Sequence, residues 1–253
     1  MKRIIFLHIP KTAGQTVHSE LARVIGEDCT SPIRVHTQAP DNGQFPPGYL
    51  LYSGHLDWVH LGQFNTDRFA FTILRDPFER IASFYFYLLE KSRGLDVDAL
   101  NIPANAGLKK IRENIADDYF FGGDAGWQQF IRDHYDNFYC SYFVTHKIRG
   151  AAQIADIPTN TLIPLAQKGA AQLDRIYSIE GLAALEQDIA RLTGQQISIV
   201  EKRVNPGPKL QGTKRWPQLL ERIECDANKQ KLADFAALDV KLMQQLRIQG
   251  ALS

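Results

Sequence analysis

The opening stretch of the chain constrains its fold more than any other. Residues 3–9 form a short, Ile-rich apolar run, the pattern of a strand buried on both faces. Pro10-Lys11-Thr12-Ala13-Gly14-Gln15-Thr16 follows as a tight polar loop. Beyond it Val17, Leu21, Val24 and Ile25 recur at helical spacing until Gly26, a residue suited to ending a helix. Strand, polar loop and helix in that order open an α/β unit of the nucleotide-binding kind, an opening shared by many unrelated enzymes. The junction aims backbone N–H groups and the positive end of a helix dipole at the loop, which favours an anion. Lys11 adds a mobile positive charge, Thr12 and Thr16 add hydroxyls, and Gly14 lets the backbone come close to a ligand.

Further strands are expected at residues 49–53, 69–74 and 176–179, the second of these almost entirely apolar, as a central parallel strand is. The best-signalled helix follows it: Asp76 caps, Pro77 takes the first helical position and Glu79 completes a capping box. Phe78, Ile81, Ala82, Tyr85 and Leu89 share one face of that helix, with Arg80 and Ser83 opposite. Residues 94–150 read as helical in places, broken at Gly122-Gly123 and Gly126. A helix over 182–192 closes at Gly194, and the tail from about residue 217 is helical. Asn205-Pro206-Gly207-Pro208 interrupts regular structure, so the basic segment 202–214 is expected to be a mobile loop. The fold class expected is α/β, a P-loop-like three-layer arrangement with a central, mostly parallel sheet flanked by helices, as one domain over residues 1–253.

Twenty-nine basic and twenty-eight acidic residues leave a net charge of +1, which argues against a nucleic-acid partner. Cys29, Cys140 and Cys225 are dispersed and odd in number, the pattern of thiols in a reducing compartment and not of a zinc site or a disulfide framework. The apolar run after Lys2-Arg3 meets His8, Pro10 and Lys11 too soon to be a signal core or a membrane span, and no later run is long enough to span a bilayer. A cytoplasmic protein is expected; its oligomeric state is not readable.

The Lys11 loop is not a Walker loop, since glycine follows the lysine here instead of preceding it. Arg75 stands at the carboxyl end of the 69–74 strand, where open α/β sheets bind ligands, and an arginine there can grip a phosphate with two parallel hydrogen bonds. Ser83 offers a further donor. Together His8-Ile9-Pro10-Lys11-Thr12-Ala13-Gly14 and Leu74-Arg75-Asp76-Pro77 through Arg80 and Ser83 resemble the sulfotransferase superfamily, within it the carbohydrate branch that includes the heparan sulfate 2-O- and 6-O-sulfotransferases. Asp136-Asn137-Phe138 is a weaker match to a mid-chain helix of that branch. The resemblance implies 3′-phosphoadenosine 5′-phosphosulfate as donor, with adenosine 3′,5′-bisphosphate as product. It places Lys11, Thr12, Ala13, Gly14, Gln15 and Thr16 at the 5′-phosphosulfate, and Arg75 and Ser83 at the 3′-phosphate. Ser53-Gly54-His55-Leu56-Asp57-Trp58 resembles the stretch that carries the catalytic base of the 6-O-sulfotransferases. That singles out His55 among seven histidines, with Asp57 either orienting it or lying in a solvated turn. His8 reads as a packed strand residue, and His18 and His36 carry no signal. The implied reaction is in-line sulfuryl transfer, with Lys11 and His55 catalytic and no metal, to a hydroxyl on a carbohydrate or glycolipid acceptor. A P-loop nucleoside triphosphatase or kinase-like enzyme, or a non-catalytic nucleotide-binding module, are the alternatives.

Overall fold

The computed structural model describes residues 2–65, 67–201 and 214–252. Strands β1 (Arg3–Leu7), β2 (Leu51–Gly54), β3 (Arg68–Leu74) and β4 (Arg175–Ser178) form a sheet in the order β2-β1-β3-β4, with every pairing parallel. This is the expected α/β class, a parallel central sheet flanked by helices. β2 starts two residues later than its apolar run implies, because Leu50 N turns away to donate to Cys29 O at 2.9 Å.

Helix α1 (Gly14–Ile25) connects β1 to β2. Between β3 and β4 the chain passes through α2 (Pro77–Arg93), α3 (Val97–Leu100), α4 (Ala106–Glu113), α5 (Ala116–Phe121), α6 (Ala125–Tyr135), α7 (Phe138–Thr145), α8 (Ala151–Ile154) and α9 (Thr159–Ala170). After β4 come α10 (Leu182–Thr193), α11 (Arg215–Leu220) and α12 (Asp226–Ile248). Gly122-Gly123 separate α5 from α6 as expected. Gly126 does not break structure, because the Asp124 carboxylate accepts Trp127 N at 2.8 Å and starts α6 ahead of it.

Alternation along β1 distributes its side chains to two faces. Ile4 and Phe6 pack with Phe71, Ile73 and Tyr177 against Val17 and Leu21 of α1 and Leu185 and Ile189 of α10. Ile5 and Leu7 pack with Tyr52, Ala70 and Leu74 against α7, α9 and α12. All four β1 side chains are wholly buried, each worth roughly 1.5–3 kcal/mol of burial.

On α2 the apolar face is buried as its spacing predicts, but the opposite side is covered too. Arg80 is 1% exposed; its guanidinium donates to His134 O (3.0 Å) and Tyr135 O (3.4 Å) and lies 4.8 Å above the Phe138 ring. It thus satisfies carbonyls at the C-terminal end of α6, where a cation is favoured. Asn137 does the corresponding work on α12. Its side-chain amide accepts Leu238 N at 2.8 Å and donates to Asp234 O at 3.3 Å, the two groups that one helical turn would otherwise join to each other. In return the buried Asp239 carboxylate of α12 accepts Tyr139 N (3.0 Å) and Cys140 N (2.9 Å) in the first turn of α7.

The three cysteines are free. Among the described residues no helix is long and apolar enough to cross a membrane, and no group of three or more His, Cys, Asp or Glu is placed to hold a metal ion.

Candidate active site

The strand order decides where a ligand fits. After β1 the chain moves to β2 on one side, then crosses to β3 on the other, so connections diverge at the carboxyl ends of β1 and β3 and open a crevice there. The Lys11 loop leaves β1, Arg75 follows β3 and His55 follows β2, which brings all three sequence motifs to one edge of the sheet.

The loop holds two non-glycine residues in the left-handed region, Lys11 (φ 73°) and Ala13 (φ 68°). Each such residue costs about 1–3 kcal/mol, a strain that concentrates at ligand sites. The wholly buried Thr12 donates its hydroxyl to Ile9 O at 2.9 Å. Its proton is therefore committed to bracing the loop, whereas the sequence pattern had it as a donor to ligand. Thr16 is buried in the first turn of α1, and Gln15 is exposed. Gly14 has a steric reason: a Cβ there would lie 1.8 Å from His8 Nε2.

Cations converge on this loop. Arg75 Nη1 reaches Lys11 O at 3.5 Å, and its other terminal nitrogen meets Glu79 Oε2 at 3.4 Å. The Arg75 backbone is fixed by Tyr139, whose hydroxyl accepts Arg75 N (3.1 Å) and donates to Arg75 O (2.8 Å). Glu79 does not close a capping box on its own helix. Asp76 caps α2 by accepting Glu79 N at 2.9 Å, but the Glu79 carboxylate turns to α11 and accepts Arg215 N (3.1 Å) and Trp216 N (3.0 Å). That contact brings Arg215 Nη1 within 3.4 Å of the Ser83 hydroxyl. Burial first, then Arg215 and Arg75, push the Lys11 ammonium down to about 8, and it rests 4.0 Å from the centre of the half-exposed Tyr87 ring. Lys11, Arg75, Ser83 and Arg215 thus border one crevice. Of the basic segment 202–214, residues 202–213 lie outside the described residues; Lys214 precedes α11.

His55 lies on the other side of His8. The His8 ring, 4% exposed, stacks on Phe6 at 5.3 Å and lies tilted by 30° against His55 at 4.3 Å between centroids, and it is the ring that fills the space beside Gly14. His55 Nδ1 lies 2.6 Å from His8 O. A carbonyl can only accept, so Nδ1 carries the hydrogen and the neutral ring keeps its lone pair on Nε2. Burial holds His55 below the ordinary histidine range, opposed by the His8 carbonyl bond. Asp57 does not orient it: that carboxylate accepts Ile148 N (2.7 Å) and Gln44 Nε2 (3.3 Å). Nor is Asp57 in a solvated turn, being 7% exposed.

The family model described as the Sulfotransferase family matches residues 1–244. The chain belongs to the sulfotransferase family. The chemistry of that family is sulfuryl transfer from 3′-phosphoadenosine 5′-phosphosulfate. A search of curated proteins found no match. Three features of this sulfotransferase's crevice gave no signal in the sequence as read: Arg215, adjoining a basic segment from which no individual residue stood out, and the pair His18 and Arg34 beside His55. Their contacts span long sequence separations, and no local motif encodes them. Trp58, in the His55 segment, is wholly buried against His146 and belongs to the core.

Proposed function

We propose that this sulfotransferase binds its donor in the crevice between the carboxyl ends of β1 and β3 and sulfates a hydroxyl of a carbohydrate or glycolipid, with His55 as general base. The observation that carries this reading is the convergence of Lys11, Arg75 and Arg215: Arg75 reaches Lys11 O at 3.5 Å, and Glu79 and Ser83 hold Arg215 beside them. Glu79 offsets part of this charge at Arg75, 3.4 Å away, and cationic side chains gathered at strand ends in an open α/β sheet make a place that favours a further anion. A nucleotide with phosphates at both its 3′ and 5′ positions fits that place. Lys11 and the loop N–H groups suit the 5′ end, and Arg75 and Ser83, with Arg215 beside them, suit the 3′-phosphate. A bound anion also raises the Lys11 ammonium back toward full charge.

The donor supplies the sulfuryl group; the protein supplies position and charge. His55 Nε2 takes the proton of the attacking hydroxyl, a role worth about 10²- to 10⁴-fold. Lys11 neutralises charge developing on the oxygen that leaves sulfur. We take residues 1–253 as one sulfotransferase domain, and the three free thiols accord with a cytoplasmic setting.

The test is incubation of purified protein with radiolabelled donor and a panel of glycans, glycolipids and small alcohols. Adenosine 3′,5′-bisphosphate binding is measured in parallel, with ATP and magnesium as competitor. Sulfation of a hydroxyl is expected, and the absence of both transfer and nucleotide binding would sink the reading. His55→Ala is expected to lose about 10²- to 10⁴-fold in turnover with nucleotide affinity near wild type; unchanged turnover removes the base assignment alone.

A further inference from the structure

The segment preceding β2 runs directly alongside His55. Arg34 O accepts His55 N at 2.8 Å, His55 O accepts His36 N at 2.7 Å, and Val35 forms a parallel bridge with His55. This closeness depends on Gly54, where a Cβ would fall 2.3 Å from Arg34 O. The Arg34 guanidinium is anchored in turn. It donates to His18 Nε2, and because a guanidinium can only donate, His18 carries its hydrogen on Nδ1 and passes it to Ser53 Oγ at 3.1 Å.

We propose that Arg34 is a positioning residue for transfer: fixed by the His18–Ser53 chain beside the segment that carries His55, its permanent positive charge works with burial to leave His55 Nε2 open to an acceptor hydroxyl. This rests on the reading of His55 as base.

Burial is the first cause that lowers His55, and of the charged groups that add to it Arg34 comes ahead of His36. From β1 comes the His8 ring, held neutral by complete burial and then by His55, Arg34, His18 and Lys11. From α1 comes His18, pushed down to about 4 by burial and then by Arg34, so it is neutral too. The segment before β2 contributes Arg34 and His36; burial holds His36 below the ordinary range, with Asp57 and Asp133 pulling it up and Arg149 down. After β2, Asp57 is engaged by Ile148 N and Gln44. The hydrogen bond that orients the His55 ring comes from an uncharged carbonyl. A carboxylate in that place would orient the ring equally well but would also favour the imidazolium. Here the charge on the neighbouring segment is a cation instead, on the residue whose carbonyl accepts His55 N. Because the lone pair of a histidine is available above its pKa, a cation beside His55 extends the base form to lower pH, and removing that cation withdraws it.

The experiment compares wild type with Arg34→Gln, which keeps hydrogen-bond donors without the charge, and Arg34→Lys, which keeps the charge. The pH dependence of kcat/KM is measured together with the His55 ring-proton NMR titration, assigned by its loss in His55→Gln. Adenosine 3′,5′-bisphosphate affinity checks the fold, and Arg34→Met replaces Arg34→Gln if that variant does not bind nucleotide. In Arg34→Gln both the acid limb and the His55 midpoint are expected to rise by about one pH unit, while Arg34→Lys stays near wild type. A His55 midpoint unmoved in Arg34→Gln overturns the proposal, whatever happens to the rate. If His55→Ala retains full turnover the base reading falls instead, and the NMR midpoint still reports on Arg34 independently.

Discussion

A methyl group on Gly14 has no room, and its neighbour cannot yield. His8, which it would strike at 1.8 Å, is sandwiched between Phe6 at 5.3 Å and His55 at 4.3 Å, and the same residue's carbonyl fixes His55 Nδ1. Gly14→Ala is therefore expected to displace His55 as well as the loop. Misplacement of a reacting group by about 1 Å costs on the order of 10²-fold. Steady-state kinetics on this variant are expected to show kcat falling by at least about tenfold, beyond any rise in the KM for donor. The loop at Lys11 was legible in the sequence, because a strand-to-helix loop is a local pattern; the His8 ring that makes Gly14 necessary was not. Arg34, His18 and Arg215 were not, because each acquires meaning from a partner 16 or more positions away: Arg34 with His18, His18 with Ser53, Arg215 with Ser83.

At the scale of elements, Glu79 shows how a correct local expectation can be redirected. The spacing from Asp76 predicts a capping box; Asp76 does cap α2, but Glu79 serves the first turn of α11 and braces Arg75. Glu79→Ala is expected to leave α2 formed and to release α11. Hydrogen exchange at Arg215 and Trp216 then accelerates, affinity for adenosine 3′,5′-bisphosphate drops by about tenfold, and stability falls by about 1–3 kcal/mol from the two amides left without their acceptor. Exchange mass spectrometry and calorimetry measure these separately. Long periodic elements such as α1, α2 and α10 were readable from apolar spacing and capping residues. The short helices of residues 94–150 were not, since distant groups set their ends: Arg80 for α6 and Asp239 for α7.

Over the whole molecule, hydrophobic runs mark buried strands without saying which strand lies beside which. The α/β class was therefore legible and the order β2-β1-β3-β4 was not, although that order places the crevice. A ligand bound across strand ends stabilises the fold by mass action. Adenosine 3′,5′-bisphosphate at about a hundred times its Kd is expected to add about 2.7 kcal/mol, which in a chain of this size is several degrees in Tm. Thermal scans are expected to show this shift with the bisphosphate and little shift with ATP and magnesium at the same concentration.

The bridges between α7 and α12 bear on how the protein is made. Asp239 holds the start of α7, and Tyr139 in that turn holds the Arg75 backbone. Helix α12 therefore reaches the crevice through two hydrogen-bonded steps. Synthesis delivers the Lys11 loop well before Asp239, so a growing chain carries an unbraced crevice until α12 has emerged from the ribosome and docked.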